Sequence, residues 1–151
     1  MTRREVLAVA SGGGHWVELM RLAPAFEGRD VAYVSVAQEL AADVPGRTFY
    51  AVVDATRWDK VRLARCALKL VWIVLRERPR VVVSTGAAPG WFALAFARRL
   101  VGARTVWIDS IANAETLSLS GQRAGKVADL WLTQWPEVAR PGGPEYAGSV
   151  L

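Results

Sequence analysis

Apolar positions along the chain fall into short unbroken runs separated by stretches of helical spacing. The runs at residues 5–10, 31–36, 80–84, 104–108 and 129–133 read as strands, with a weaker one at 48–53. Unbroken runs, as opposed to strict alternation, mark strands covered on both faces. Between them, residues 16–26, 58–78 and 120–127 carry helical periodicity, and another helix is expected from the turn at 85–90 to about residue 100. Strands alternating with helices predict an α/β fold: a Rossmann-like parallel sheet with helices on both faces. No repeat or linker divides the chain, so residues 1–151 are expected to form a single domain.

In such sheets ligands bind beyond the carboxyl ends of the strands. Three turns are expected at that edge: 11–15, 84–90 and 109–113. The first, Ser11-Gly12-Gly13-Gly14-His15, joins a strand to a helix. Consecutive glycines let the backbone turn tightly and approach a ligand, and the helix that follows offers free N–H groups and a positive dipole end. Neither the Gly-x-x-x-x-Gly-Lys-Ser/Thr phosphate loop nor the Gly-x-Gly-x-x-Gly dinucleotide fingerprint is completed, which argues against a stand-alone enzyme with a nucleotide cofactor.

His15 is the only histidine. A histidine at this edge is a candidate general base or phosphate ligand. Glu18, one helical turn on, is a second candidate, either as a base or as a partner that orients the ring. Thr85 and Gly86, and Asp109 and Ser110, occupy the turns after later strands and are candidates to hold a hydroxylated substrate. Each of these residues also has a plain structural reading as a cap or turn former.

Charge sharpens the picture at one place. The net charge is +5, but residues 57–80 hold eight Lys or Arg against Asp59 and Glu77, a local +6, leaving −1 elsewhere. On a helical wheel Trp58, Arg62, Arg65, Lys69, Trp72 and Arg76 form one stripe, and Val61, Ala64, Leu68, Val71 and Leu75 a separate apolar side. Basic residues between tryptophans suit an anionic membrane surface. Nucleic acid is not expected as a partner, because the basic residues are confined to one helix and no recognition motif accompanies them. One cysteine and one histidine far apart do not make a metal site, and Cys66 in mid-helix is no nucleophile. No cofactor is expected. No run approaches the roughly 18 apolar residues of a spanning helix. A cytoplasmic protein, peripheral on the inner face of the plasma membrane, is the expectation.

Several ordered motifs resemble a known family. Ser-Gly-Gly-Gly-His-Trp-Val-Glu-Leu-Met at 11–20 is similar to a Gly-Gly-His-x-x-Glu-Met segment of the membrane-anchoring subunit of the eukaryotic dolichol-linked UDP-GlcNAc transferase. The likeness continues through Val-Ser-Thr-Gly-Ala-Ala-Pro-Gly at 83–90, Trp-Ile-Asp-Ser-Ile-Ala at 107–112, Ser-Leu-Ser-Gly at 118–121, Gln-Trp-Pro-Glu at 134–137 and Tyr-Ala-Gly-Ser-Val-Leu at 146–151. Together these resemble bacterial exopolysaccharide and capsule glycosyltransferase subunits of the PssD type. The resemblance implies the N-terminal, acceptor-side half of a GT-B glycosyltransferase. A donor-binding, GT-B C-terminal-type subunit would be its partner and a lipid-linked sugar its acceptor. It further implies that Gly12, Gly13, Gly14 and His15 approach the acceptor diphosphate or the reacting sugar.

Overall fold

The structure is a computed structural model that describes residues 2–150. Seven strands form one parallel sheet in the order β3-β2-β1-β4-β5-β6-β7. They are β1 (Val6–Ala10), β2 (Val31–Ser35), β3 (Thr48–Ala51), β4 (Val81–Gly86), β5 (Arg104–Ile108), β6 (Leu130–Thr133) and β7 (Glu145–Tyr146). Four α-helices cross between them: α1 (Gly14–Leu22), α2 (Lys60–Glu77), α3 (Ala88–Val101) and α4 (Leu119–Ala124). Short 3-10 helices follow α1 and precede β3.

The apolar runs have the predicted cause. In β1, Leu7 and Val9 join a core with Cys66, Leu70, Ile73 and Val74 of α2, Ala93, Leu94 and Ala97 of α3 and Trp107 of β5. Val6, Ala8 and Ala10 join the opposite core, with Trp16 and Leu19 of α1 and Val44. Alternate side chains of one strand thus enter two different cores, so every position is apolar.

Three expectations need correction. Residues 85 and 86 belong to β4 and not to the turn after it. The register between β1 and β4 slips after Val9, pairing Ala10 with Gly86, so β4 runs on to the edge where β1 ends. Trp58 precedes α2, which starts only at Lys60, because the Asp59 carboxylate caps the helix by accepting from the Arg62 N–H at 3.0 Å. The tail after residue 134 contains the unexpected β7, which pairs in parallel with β6 through Leu132–Glu145 and Thr133–Tyr146.

The buried side of α2 is Cys66, Leu70, Ile73, Val74 and Glu77. The apolar side anticipated from the wheel is largely not against the core: Val61 is 72% exposed, Leu68 71% and Leu75 51%. Arg62, Arg65, Lys69 and Arg76 are exposed, as are Trp58 and Trp72. Among the described residues no helix is long and apolar enough to cross a membrane.

Candidate functional site

The strand order reverses direction between β1 and β4, both of which begin crossovers, β1 to one side and β4 to the other. Such a switch point leaves a crevice at the carboxyl edge, because the two crossover connections diverge there. The glycine-rich turn lies at this crevice. Ser11 N–H donates to the Gly86 carbonyl at 3.3 Å, tying the turn to the end of β4. Gly13 caps α1 with φ 64 and ψ −135, a conformation that favours glycine, and no side chain caps the helix. Where side chains on Gly13 and Gly14 would project there is open space, whereas one on Gly12 would meet Val36. The outer side of the turn is therefore free for a ligand.

His15 and Thr85, 70 residues apart, brace each other twice. The Thr85 hydroxyl donates to the His15 carbonyl at 2.6 Å. His15 Nδ1 lies 3.0 Å from the Thr85 carbonyl oxygen. A carbonyl only accepts, so Nδ1 carries a proton, and in the neutral ring the lone pair is therefore on Nε2. Gly86 makes room for this ring: a Cβ there would overlap the imidazole. Thr85 is fully buried with its hydroxyl committed to His15. The structure therefore places it as a support for the ring, not as a residue open to substrate.

Glu18 is 3% exposed. Its Oε1 accepts from the Ile111 N–H at 2.7 Å and from Gln134 Nε2 at 2.8 Å, joining α1 to the loop after β5 and to the end of β6. Its Oε2 is buried without a partner among the described residues. Asp109, 1% exposed, is likewise turned to the protein. One carboxylate oxygen accepts from Trp107 Nε1 and the Ser118 hydroxyl, the other from Asn113 Nδ2 and the Ser118 N–H. All four acceptor positions are filled, so Asp109 holds the loop against the start of α4. Ser110 is buried and accepts from the Ala112 N–H at 3.1 Å, a turn-forming bond.

The three expected turns do converge, through Ser11–Gly86, His15–Thr85, Glu18–Ile111 and Gln134–Asp109. Gln134 is the residue that sequence reasoning passed over as a site component. It is 1% exposed and donates to Glu18 and to the Asp109 carbonyl while accepting from the Val150 N–H. Its signal was a polar residue directly after a buried strand, at the same edge as the other candidates. Among the described residues no cluster of His, Cys, Asp or Glu forms a metal site.

Comparison with known proteins agrees with this architecture. MurG of Acinetobacter baumannii superposes with a TM-score of 0.74 over 95% of this chain at 12% identity, and the chain spans 45% of its length. The UDP-bound MnaA of S. aureus superposes at 0.67 with 13% identity, over 40% of its length. At these identities the likeness shows the fold, a parallel sheet of the kind found in one half of a GT-B glycosyltransferase. In sequence, the chain is 29% identical to the UDP-N-acetylglucosamine transferase subunit ALG14 of Eremothecium gossypii, over 91% of this chain and 75% of that protein. It is 31% identical to the subunit of the same name from Cryptococcus neoformans, over 48% of this chain and 36% of that protein. The profile of the family described as "Oligosaccharide biosynthesis protein Alg14 like" matches residues 51–150, two thirds of the chain, and the protein belongs to that family.

Proposed function

We propose that this chain is the acceptor-binding and membrane-associating subunit of a two-chain UDP-sugar glycosyltransferase. With a donor-binding, GT-B C-terminal-type subunit it would move GlcNAc or another hexose from UDP to a lipid-diphosphate-linked sugar, in exopolysaccharide or capsule biosynthesis. The observation that carries this reading is the His15 ring, held in one tautomer at the switch point beside a glycine turn open on its outer side. The names of its ALG14 relatives, each a UDP-N-acetylglucosamine transferase subunit, support the reaction class.

In this reading an acceptor hydroxyl gives its proton to His15 Nε2 as its oxygen attacks the anomeric carbon of the donor. The bond from that carbon to the UDP phosphate oxygen breaks, and its electron pair leaves with UDP. Gly12, Gly13, Gly14 and the N-terminus of α1 face the diphosphate or sugar of the acceptor. Ser11, Thr85 and Gly86 hold the turn and the ring. Glu18, Asp109 and Ser110 set the position of the loop after β5, Glu18 through Ile111 and Gln134. The outward side of α2, with Val61, Leu68, Trp72 and Leu75 beside Arg62, Arg65, Lys69 and Arg76, lies on the inner face of the plasma membrane.

The test is turnover of a UDP-sugar panel by the chain assembled with its partner on a lipid-linked acceptor. His15→Ala should lower kcat by about 10²–10⁴-fold, the usual contribution of a positioned base. Unchanged turnover would remove His15 from the chemistry. It would favour a second reading, for which the exposed face of α2 speaks: a non-catalytic scaffold that recruits and activates a separate transferase at the membrane. In that case charge reversal on α2 lowers activity only through localisation, and a soluble acceptor restores it.

A further inference from the structure

A groove of about 180 Å³ opens between the amino-terminal ends of α2, α3 and α4. Leu63, Trp91, Phe92 and Leu119 line it with Arg57 and Arg123, and no carboxylate is among its lining residues. Trp91 meets Phe92 edge to face at 5.7 Å, and Phe92 stacks on Phe96 at 5.8 Å, giving the groove an aromatic wall. It is separate from the His15 cluster, none of whose residues line it.

The charge of this groove selects its occupant. Arg57 and Arg123 are both exposed, and neither has a carboxylate partner within salt-bridge distance among the described residues.

We propose that this groove binds the lipid-proximal end of a lipid diphosphate: the phosphate nearest the chain, and the first apolar units of the chain itself. The proposal rests on the functional reading above and adds where the lipid sits. The phosphate oxygens pair with Arg57 and Arg123, whose guanidinium forks match them. The first chain units pack on Leu63, Phe92 and Leu119. Size decides that only a segment is held, since whole small ligands occupy roughly 300–1,000 Å³. The rest of the chain leaves along ground that is already apolar: Leu63 belongs to α2, whose outward side continues through Val61 and Leu68, 72% and 71% exposed. A nucleotide is the competing anion. Apart from the Ser120 side chain and the two arginines, the lining side chains offer no accessible group to hydrogen-bond a base edge.

The experiment is equilibrium dialysis of the purified chain against radiolabelled farnesyl diphosphate, with farnesol, inorganic diphosphate and UDP as competitors. Farnesyl diphosphate should saturate a single site, and each competitor should need about tenfold or more higher concentration, since each lacks either the chain or the charge. Arg57→Ala and Arg123→Ala should each weaken binding by about tenfold. Leu119→Glu, which sets a charge on the apolar wall, should weaken it severalfold. Leu100→Glu, an exposed position in the last turn of α3 and outside the groove, should leave binding of the probe intact. Inorganic diphosphate competing as well as farnesyl diphosphate, UDP competing better, or full binding by Arg123→Ala would each overturn the proposal. The arginines are exposed, so their variants report on the groove even if Leu119→Glu does not fold. Dialysis needs no turnover, so its outcome is independent of the His15→Ala assay.

Discussion

The imidazole of His15 occupies the space that a side chain on Gly86 would fill. The two residues come from opposite sides of the switch point, one just after β1 and one at the end of β4. Gly86 also has φ +136, a conformation that L side chains rarely adopt. One glycine thus permits both the backbone path of β4 and the seat of the only histidine.

Gly86→Ala therefore has two effects. The backbone strain should lower stability by about 1–3 kcal/mol, read from urea denaturation. The added methyl also displaces the ring, so turnover of the assembled transferase should fall at least as far as for His15→Ala. Activity near that of the parent protein would show that the ring position does not matter.

Glu18 separates positioning from proton transfer. Glu18→Gln keeps an acceptor for the Ile111 N–H and Gln134, and its amide replaces the unpartnered Oε2. It should fold normally and keep most turnover, with the pH profile unmoved. Glu18→Ala leaves two buried donors unpaired and should lose roughly 1–3 kcal/mol for each. A stable but inactive Glu18→Gln would reassign the base to Glu18.

Far from the site, Glu77 gives a pH signature. Burial alone would raise its pKa, but the Arg4 guanidinium at 2.6 Å and the Tyr50 hydroxyl outweigh burial and hold it below the usual carboxylate range. A carboxylate depressed in the folded state stabilises fully above its unfolded value, here 4.5, and loses that contribution as pH falls through its folded value. The urea midpoint should accordingly drop on acidification below about 4.5. Glu77→Gln should be less stable at neutral pH by about 1.5–3 kcal/mol, with the difference shrinking in acid.

On α2, Val61→Glu with Leu68→Glu should leave the fold within about 0.5 kcal/mol, since both side chains are exposed. Co-sedimentation with anionic vesicles should fall by about tenfold or more. Reversing Arg62, Arg65 and Lys69 to Glu should do the same, and raised salt should weaken binding of the parent protein. Unaltered sedimentation in both variants would place the membrane contact elsewhere.

Cys66 is fully buried, and burial with the nearby Asp54 charge pushes its thiol up to about 11. A thiol reagent at pH 8 should modify it only as fast as the native protein opens, and at once in urea. Rapid reaction in buffer would mean that α2 detaches locally.

The strands were legible because burial on both faces keeps most of their positions apolar, and Arg104–Ile108 matches its expected bounds although Arg104 and Thr105 are polar. The two-residue β7 was not: Glu145 and Tyr146 are exposed, and Pro and Gly surround them. The sequence also determined the glycine turn, the lone histidine beside it and the basic, tryptophan-flanked helix, since each depends only on residue type and local spacing. What the tertiary structure alone decided is the direction each group faces. Residues on nearly every side of α2 are apolar at some point, so periodicity did not say whether Leu70 and Ile73 or Val61 and Leu68 meet the sheet; packing against α3 and the strands chose the former. The Glu18 and Asp109 carboxylates, plausible as ligand contacts at a sheet edge, proved to be enclosed by donors from segments up to 116 residues away. Hydrogen-bond partners so distant in the chain are set by the order in which strands pair, and no local pattern records that order.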